Sequence, residues 1–510
     1  PIGQFPMTNP LFDALLAPHL GHDTVFIHQP DGGVVSHADF LDNAARIANT
    51  LNHAGLQPGD RVAVQVPKSV EALALYAASV MAGIVFLPLN TAYTTEELSY
   101  FIADSGAALV IGDPSSAEAL QGIADNVGAS IITLGANGHG TLMDSASTMP
   151  ASFNVVERGE DDLAALLYTS GTTGRSKGAM LSQKNLLSNA LSLKQEWQYG
   201  PDDVLLHALP IYHTHGLFVA CNITLLAGGS MIFLPGFDRD RMIELMPKAT
   251  SMMGVPTFYT RLLDDDRLNR DLTRHMRLFI SGSAPLLAET HEQFEHRTGH
   301  RILERYGMTE TNMNTSNPYA GDRRAGTVGF PLPGVEVRIT NPEDGTPLPQ
   351  GDTGVVEVRG DNVFMGYWNM PEKTSEEFRA DGFFITGDLG RIDDDGYLTI
   401  LGRGKDLIIS GGLNIYPKEI EDFLNDQPGV GESAVIGVPH ADFGEGVMAV
   451  ITSAPDAAPD TDAIMEKITT SLARFKHPRR IVVVDALPRN TMGKVQKNVL
   501  RETYKDSFTG

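Results

Sequence analysis

Apolar and polar residues alternate along the first 160 positions in blocks that predict helices and strands in turn. Residues 40–54 show the 3.6-residue period of a helix, and 61–66 have the apolar composition of a buried strand. The order repeats, with helices at 69–82 and 96–105 and strands at 84–88 and 108–112. Further strands are predicted at 204–208, 230–234, 252–254 and 278–281, with a helix at 216–226. Such alternation is typical of a parallel sheet covered by helices on both faces, so we expect an α/β fold.

The pattern changes after about residue 326. Short alternating strands are predicted at 335–339, 354–358 and 397–401, separated by Gly, Pro and Asp turns, which indicates a β-rich subdomain. The charged, glycine-containing junction at 402–406 precedes a further α/β stretch that includes a predicted helix, Pro417–Asn425. We therefore predict a large N-terminal domain over residues 1–403 and a small α+β C-terminal domain over 404–510.

Charge narrows the classes of ligand. The 510 residues carry 39 Lys and Arg against 63 Asp and Glu, a net charge of −24. Nucleic acid and anionic membrane surfaces are therefore poor partners, and an anionic ligand needs locally concentrated cations. The single cysteine, Cys221, excludes an internal disulfide framework. The apolar runs at 75–89 and 219–235 are too short or too interrupted to cross a membrane, and no signal peptide is apparent, so we expect a cytoplasmic protein.

A glycine- and hydroxyl-rich stretch at 169–178 (Thr-Ser-Gly-Thr-Thr-Gly-Arg-Ser-Lys-Gly) is the strongest candidate for chemistry. It follows a predicted strand at 163–168 and precedes a predicted helix at 179–191. Glycines let backbone N–H groups approach phosphate oxygens, while Arg175 and Lys177 supply positive charge. The spacing differs from the usual ATPase phosphate loop, in which Gly directly precedes Lys. A polar surface turn is the alternative, but the number of donors favours phosphate binding.

Seven sequence segments, spread in a fixed order over nearly the whole chain, support nucleotide binding further. They are 168–178, 213–217, 281–286, 305–311, 386–388, 402–421 and 488–501. Together they resemble the adenylate-forming superfamily, which includes acyl- and aryl-CoA synthetases, peptide-synthetase adenylation domains and firefly luciferase. The resemblance implies a large domain of stacked sheets and a small mobile C-terminal domain. It also implies ATP, Mg²⁺ and coenzyme A: a carboxylate attacks the α-phosphorus of ATP, and a thiol then takes the acyl group from the adenylate.

The resemblance assigns roles to individual residues. Tyr306 would stack on adenine, Thr309 would contact the α-phosphate, Glu310 and Thr169 would bind Mg²⁺, and Asp388 with Arg403 would hold the ribose hydroxyls. The remaining nucleotide- or CoA-binding candidates are Ser170, Gly171, Thr172, Thr173, Gly174, Lys177, Ser283, Ala284, Pro285, Gly307, Met308, Lys405, Gly411 and Gly412. Without the resemblance, Tyr306 is a core aromatic, Glu310 a solvated acid at a helix start and Asp388 an Asx-turn residue.

Lys494, in Pro-Arg-Asn-Thr-Met-Gly-Lys, matches the family's catalytic lysine. A desolvated ammonium between a carboxylate and a triphosphate would offset their repulsion and the charge that develops in the transition state. Lys405 falls at the family's hinge, where the small domain swings between two poses. Gly411 and Gly412 match the segment that lines the CoA tunnel. Relatives are acetylated at the catalytic lysine, so a lysine acetyltransferase acting on Lys494 is a further hypothesis.

Arg305 departs from the small or apolar residue that most relatives carry before the Tyr-Gly of this motif. Its segment resembles the malonyl-CoA synthetases, and a guanidinium suits the second carboxylate of a short diacid. His213 could add another donor to the acid pocket. The sequence thus predicts ATP-dependent ligation of malonate or methylmalonate to CoA. Pairing of Arg305 with Glu304, or use of Arg323 or Arg324 instead, are the alternatives for these residues.

Other functions stay open at this point. They are a CoA synthetase for another small or medium acid, an adenylation domain that loads a carrier protein, and an ATP-binding homologue without catalysis. Glu310, Asp388, Arg403 and Lys494 are all present, which disfavours the last of these.

Overall fold

The computed structural model describes residues 8–169, 176–410, 413–440, 443–472, 474–490 and 493–508. The chain divides into two compact units. The first contains Pro1–Glu336 and Val358–Phe384, and the second contains Val337–Glu357 and Ile385–Gly510. The domain boundary predicted near residue 404 and the mobility of the small domain stay predictions.

Strands and helices alternate through the first unit. Its strands are β1 Val25–His28, β2 Val34–Ser36, β3 Arg61–Gln65, β4 Val85–Pro88, β5 Leu109–Gly112, β6 Ser130–Thr133, β7 Leu163–Tyr168, β8 Gly178–Ser182, β9 Val204–His207, β10 Ser230–Phe233, β11 Ser251–Gly254, β12 Leu278–Ser281, β13 Leu303–Met308, β14 Asn312–Ser316 and β15 Phe330–Pro331. Its helices are α1 His37–His53, α2 Val70–Ala82, α3 Thr95–Ser105, α4 Ala117–Val127, α5 Thr141–Ala146, α6 Gln183–Glu196, α7 Asn222–Ala227, α8 Arg239–Leu245, α9 Pro256–Leu263, α10 Arg270–Thr273, α11 Ala288–Thr298 and α12 Pro371–Glu376.

The later strands are β16 Val335–Thr340, β17 Thr353–Gly360, β18 Phe384–Ile392, β19 Leu398–Arg403, β20 Ile408–Ser410, β21 Leu413–Ile415, β22 Val430–His440, β23 Gly444–Ser453 and β24 Arg480–Val484. The later helices are α13 Pro417–Asn425, α14 Thr461–Ser471 and α15 Lys497–Tyr504. In the second unit β22 and β23 are antiparallel, and their alternating side chains feed two cores: Val435 lies in one and Ile436 in the other.

Two sheets dominate the first unit. One has the order β6-β5-β3-β4-β7-β8 and the other β15-β14-β13-β12-β11-β9-β10-β1-β2. Neighbours from β13 to β1 run parallel, whereas β14 pairs antiparallel with β13. Val62 and Val64 lie in the large core and Ala63 in a smaller one, so β3 is buried on both faces. The predicted α/β class with helix-covered sheets is confirmed.

One local prediction is wrong. Residues 179–191 do not form a single helix, because Gly178–Ser182 is a strand that pairs antiparallel with β7. Ala179 and Leu181 are buried along this strand, and α6 begins only after Ser182, whose side chain caps it by accepting a hydrogen bond from the Asn185 amide. In the part of the chain that the structure describes, no helix combines the length and apolarity needed to cross a membrane.

Candidate active site

Arg305 is buried at the end of the parallel strands of the nine-stranded sheet. The register pairs Ser281 with Glu304, so Arg305 lies level with Gly282, the residue directly after β12. A Cβ placed on Gly282 would lie 2.1 Å from Cζ of Arg305, so only glycine leaves room for the guanidinium. Arg305 is 4% exposed. Ligands of open α/β sheets bind at this carboxyl edge, so the position is that of a binding cation.

The guanidinium is only partly satisfied within the protein. Its Nε and Nη2 atoms are buried without a hydrogen-bond partner, and no acidic side chain among the described residues pairs with it. Burial lowers the pKa of Arg305 to about 9, so the group stays charged at neutral pH. A buried cation is costly to leave unpaired, so an anionic group supplied from outside would stabilise it.

The residues considered as a partner of Arg305, or as substitutes for it, make other contacts in the structure. Glu304 accepts a hydrogen bond from the Gly326 amide at 3.2 Å and contacts His291 at 3.5 Å, and as the next residue along the strand it faces the other side of the sheet from Arg305. Arg323 donates to the backbone carbonyls of residues 301, 318 and 319, and Arg324 pairs with Asp322 at 3.0 Å. Both arginines therefore stabilise their own loop.

His215 lies beside the same edge. Its Nδ1 atom is 3.3 Å from Oγ of Ser283, while its Nε2 atom is buried without a partner. Burial, with Arg305 as the next cause, lowers the pKa of His215 well below its ordinary value, so the imidazole is neutral. Ser283 has φ of 71°, in the left-handed region that few serines adopt. We call Gly282, Ser283, His215 and Arg305 the Arg305 cluster.

His213 was the histidine that the sequence indicated, and it lies in the same Tyr-His-Thr-His-Gly segment. Its Nδ1 atom accepts a hydrogen bond from the His215 amide at 3.4 Å. The role of His213 stays a prediction, but His215 is the residue in contact with Ser283. The sequence signal was the same motif, which holds two histidines and does not say which one faces the pocket.

The turn between β13 and β14 carries the predicted nucleotide residues. Tyr306, Met308 and Thr309 are half-buried. A Cβ on Gly307 would lie 1.9 Å from the Asn312 carbonyl oxygen, so glycine is needed where the two strands bulge. Tyr306 follows Arg305 on β13, and Thr309 directly follows that strand.

Glu310 and Lys177 meet through two residues that the sequence analysis did not single out. The Tyr367 hydroxyl lies 3.0 Å from Glu310 and 2.8 Å from Glu377. Lys177 lies 3.3 Å from Glu377, with Nζ 4.4 Å above the Tyr367 ring. Burial and the carboxylate of Glu310 raise the pKa of Tyr367, so the phenol keeps its proton. The residues predicted for metal and phosphate thus share one hydrogen-bonded group.

The phosphate loop itself is described only at its base. The Thr169 amide donates to the Lys177 carbonyl at 2.9 Å, which closes the loop where β7 ends and β8 begins. Ser170, Gly171, Thr172, Thr173 and Gly174 lie outside the described residues. In the turn after β12, Ala284 and Pro285 are exposed.

The second unit holds the remaining candidates. Asp388 and Arg403 are opposite each other in the β18–β19 ladder and form an ion pair at 2.9 Å, with Asp388 5% exposed. Burial lowers the pKa of the half-buried Lys405. Lys494 is exposed, and its amide donates to Oδ1 of Asn490 at 3.0 Å within a turn. Gly411 and Gly412 lie outside the described residues.

Comparisons with known proteins agree with this fold. Residues 17–368 match the AMP-binding enzyme family, and residues 419–494 match the AMP-binding enzyme C-terminal domain. The chain therefore belongs to the AMP-binding enzyme family. The predicted superfamily and enzyme class, an AMP-forming acid–CoA ligase, are confirmed.

Three similar proteins refine the placement. The crystal structure of ATP-bound MatB from Rhodopseudomonas palustris has a TM-score of 0.96 and 60% identity, covering 98% of this chain and 100% of that one. A malonate–CoA ligase of Arabidopsis thaliana is 36% identical, over 92% of this chain and 82% of its own length. A feruloyl-CoA synthase from Amycolatopsis sp is 35% identical, over 97% of this chain and 98% of its own. Since the last two act on very different acids at nearly equal identity, identity to these relatives does not decide the acid.

Proposed function

We propose that this ligase joins a short dicarboxylic acid, malonate or methylmalonate, to coenzyme A through an acyl-adenylate, with release of AMP and pyrophosphate. The observation that carries the proposal is the buried, unpaired guanidinium of Arg305 at the carboxyl edge of the sheet. One carboxylate of the diacid reacts with ATP while the other pairs with Arg305 in a fork geometry. The name of the Arabidopsis relative, a malonate–CoA ligase, supports this choice.

The same cation rejects other acids. Acetate, butyrate or ferulate would bury Arg305 without a partner, which costs on the order of 3–5 kcal/mol. Neutral His215 and the Ser283 hydroxyl donate or accept hydrogen bonds without adding a second charge, so they suit the orientation of one carboxylate. The residues around Arg305 therefore favour an acid that carries a second negative charge.

The nucleotide and metal roles are part of the proposal. A carboxylate such as Glu310 is the ligand type that Mg²⁺ prefers, and the ion would supply charge neutralisation at the ATP phosphates. Lys177 would leave Glu377 to contact phosphate, Tyr306 and Thr309 would orient the nucleotide, and Asp388 with Arg403 would hold the ribose. Lys494 as the adenylation lysine, its acetylation, the hinge at Lys405 and a cytoplasmic location also stay predictions.

The test is a panel of acids assayed by pyrophosphate release with ATP, Mg²⁺ and CoA. Malonate and methylmalonate should exceed acetate, propionate, butyrate, benzoate and ferulate in kcat/KM by about a hundredfold or more. Butyrate is the sharpest comparison, because it is similar in length to malonate and lacks the second charge. Equal use of butyrate and malonate would contradict the diacid proposal and favour the alternative, a synthetase for another small or medium acid.

A further inference from the structure

Lys68 is a lysine whose ammonium reaches into the protein, and none of the roles described so far involves it. It precedes α2, and its Nζ atom donates to the carbonyls of His207 and Leu209, at 3.0 and 2.8 Å, and to Nδ1 of His207, at 2.8 Å. Nζ also lies 4.3 Å from the centre of the Phe233 ring. Burial lowers the pKa of Lys68 to about 7, and the three acceptors match the three hydrogens of its protonated form, so the geometry is that of a clamp.

His207 links Lys68 to the Gly216 carbonyl through the two nitrogens of its ring. Because its Nδ1 accepts from Lys68, its hydrogen sits on Nε2, which lies 2.8 Å from the Gly216 carbonyl oxygen. Burial and the charge of Lys68 lower the pKa of His207 well below its ordinary value, so the ring stays neutral and keeps this tautomer. Cys221 faces the pair as well, with Sγ 3.4 Å from His207 Nε2 and a pKa that burial raises to about 12.

The clamp holds both ends of residues 208–216, which we call the histidine loop; 208–213 are irregular, and His215 and Gly216 begin a π-helix, His215–Cys221. Lys68 contacts the carbonyls at its start, and His207 contacts the carbonyl of Gly216 at its end. A Cβ on Gly216 would lie 1.9 Å from the Pro210 carbonyl oxygen, so the two ends pack backbone against backbone. The Leu217 amide also donates to the His213 carbonyl at 3.0 Å, so the first turn of the π-helix and the clamp together hold this end of the loop.

The histidine loop contributes His215 to the Arg305 cluster. Next to its clamped end lies His215, which contacts Ser283, and Thr214 donates to Oδ1 of Asn312 at 2.5 Å. A shift of the Gly216 carbonyl moves the adjoining His215 directly, whereas the turn between β13 and β14 is one step further away, through the hydrogen bond from Thr214 to Asn312. The acid pocket and the nucleotide residues therefore depend on this clamp to different degrees.

We propose that Lys68, acting through His207, is a positioning residue for acid selection: it sets the histidine loop so that His215 faces Arg305. The inference rests on the proposed function, because it takes the Arg305 cluster as the acid pocket. Lys68 touches neither substrate nor nucleotide in this role. Its effect is on the KM and preference for the diacid, and the KM for ATP is left nearly unchanged.

The test compares Lys68→Met, Lys68→Arg and a control, Lys248→Met, which makes the same change at an exposed lysine of the first unit. For each protein, kcat and KM are measured with malonate, butyrate and ATP, together with the melting temperature. Lys68→Met should raise the KM for malonate about tenfold to a hundredfold and lower the malonate-to-butyrate preference, with the KM for ATP changed less than about twofold. Lys68→Arg should recover most of the preference, and Lys248→Met should match wild type.

The outcomes separate the two proposals. A wild-type enzyme without preference for malonate contradicts the proposed function. A wild-type preference that Lys68→Met keeps, or a parallel rise in the KM for malonate and ATP, overturns the positioning role alone. If Lys68→Met does not fold, Lys68→Gln retains two amide hydrogens for the loop carbonyls, and its preference between malonate and butyrate decides: an intermediate value supports the role and a wild-type value overturns it.

Discussion

Two arginines at opposite ends of neighbouring strands show how one sheet uses the same side chain in two ways. Arg277 directly precedes β12, and its Nε and Nη2 atoms each lie 2.7 Å from an oxygen of Asp203. It also donates to the Trp197 carbonyl at 3.0 Å and packs against Tyr199 and Tyr319. Burial lowers the pKa of Arg277, but the hydrogen bonds to Asp203 outweigh it and leave the pKa raised.

Arg305 stands at the other end and has no such partner. It is more deeply buried than Arg277, yet two of its nitrogens have no acceptor and burial lowers its pKa. A paired buried cation costs stability when either partner is removed, whereas an unpaired one costs stability while it is present. Pairing, more than burial, therefore separates a structural arginine from one that is kept for a ligand.

Replacement of Arg305 gives the largest expected effect. Arg305→Met keeps the length of the side chain and removes the charge, so kcat/KM for malonate should fall by about 10²- to 10³-fold while the KM for ATP changes little. The free energy of unfolding should rise by about 1–2 kcal/mol, because an unpaired buried charge is lost. Steady-state kinetics and urea unfolding measure the two quantities. Equal losses with all acids, or a less stable variant, would make Arg305 a structural residue like Arg277.

The matched change, Arg277→Met, should lower stability and leave the acid preference unchanged. Asp203 would be left without its main partner, so the free energy of unfolding should fall by about 3 kcal/mol. The preference for malonate over butyrate should stay at the wild-type value, since Arg277 lies at the opposite end of β12 from the Arg305 cluster. Urea unfolding and the two-acid assay at a temperature where the variant is folded check this. A loss of acid preference here would break the division between the two arginines.

Much of the frame that holds both arginines could be predicted from sequence. Apolar runs bounded by turn residues predicted β12 and α13 at the bounds that the structure has. The stretch after the phosphate loop was misassigned because Gly178–Ser182 is too short for its period to distinguish a strand from a first helical turn. Periodicity is reliable where it extends over several turns and ambiguous over five residues.

The candidate site residues could be proposed from the sequence, but their partners could not. Arg305 was singled out because it departs from a motif, yet whether it had a partner depended on which way Glu304 points and on what Gly282 leaves room for. Tyr367 and Glu377 come from a segment with no motif of its own, and Lys68 reaches the histidine loop from another part of the chain. Contacts between distant segments decide these roles, and spacing along one chain does not contain them.

Arg305, unlike Arg277, should also make the preference for malonate over butyrate depend on pH at alkaline pH. Burial lowers the pKa of Arg305 in the empty pocket to about 9, and the diacid requires the protonated guanidinium. The ratio of kcat/KM for malonate to that for butyrate should therefore fall about tenfold per unit above about pH 9, separately from any change near pH 7, where Lys68 titrates because burial lowers its pKa to about 7. Use of the ratio cancels titrations that affect both acids. A ratio that is level to pH 10 would show that the guanidinium is not the group that recognises the second carboxylate.

The smallest expected effect is on the free energy of unfolding at low pH, and it comes from the pairing of Arg277 with Asp203. Burial alone would raise the pKa of Asp203, but hydrogen bonds, that from Arg277 first, leave it below the ordinary 3.8. A carboxyl with a lowered folded pKa contributes stability that is present above its unfolded pKa of about 3.9 and is lost as pH falls through the folded value. Urea unfolding at a series of pH values below about 5 should therefore show a wild-type loss that is smaller in Arg277→Met, whose Asp203 has lost its main partner. Arg305→Met should keep the wild-type slope of unfolding free energy against pH in this range, because Arg305 has no carboxylate whose titration it could control. A shallower slope in that variant would reveal an acidic partner of Arg305. The distinction between the two arginines would then be lost.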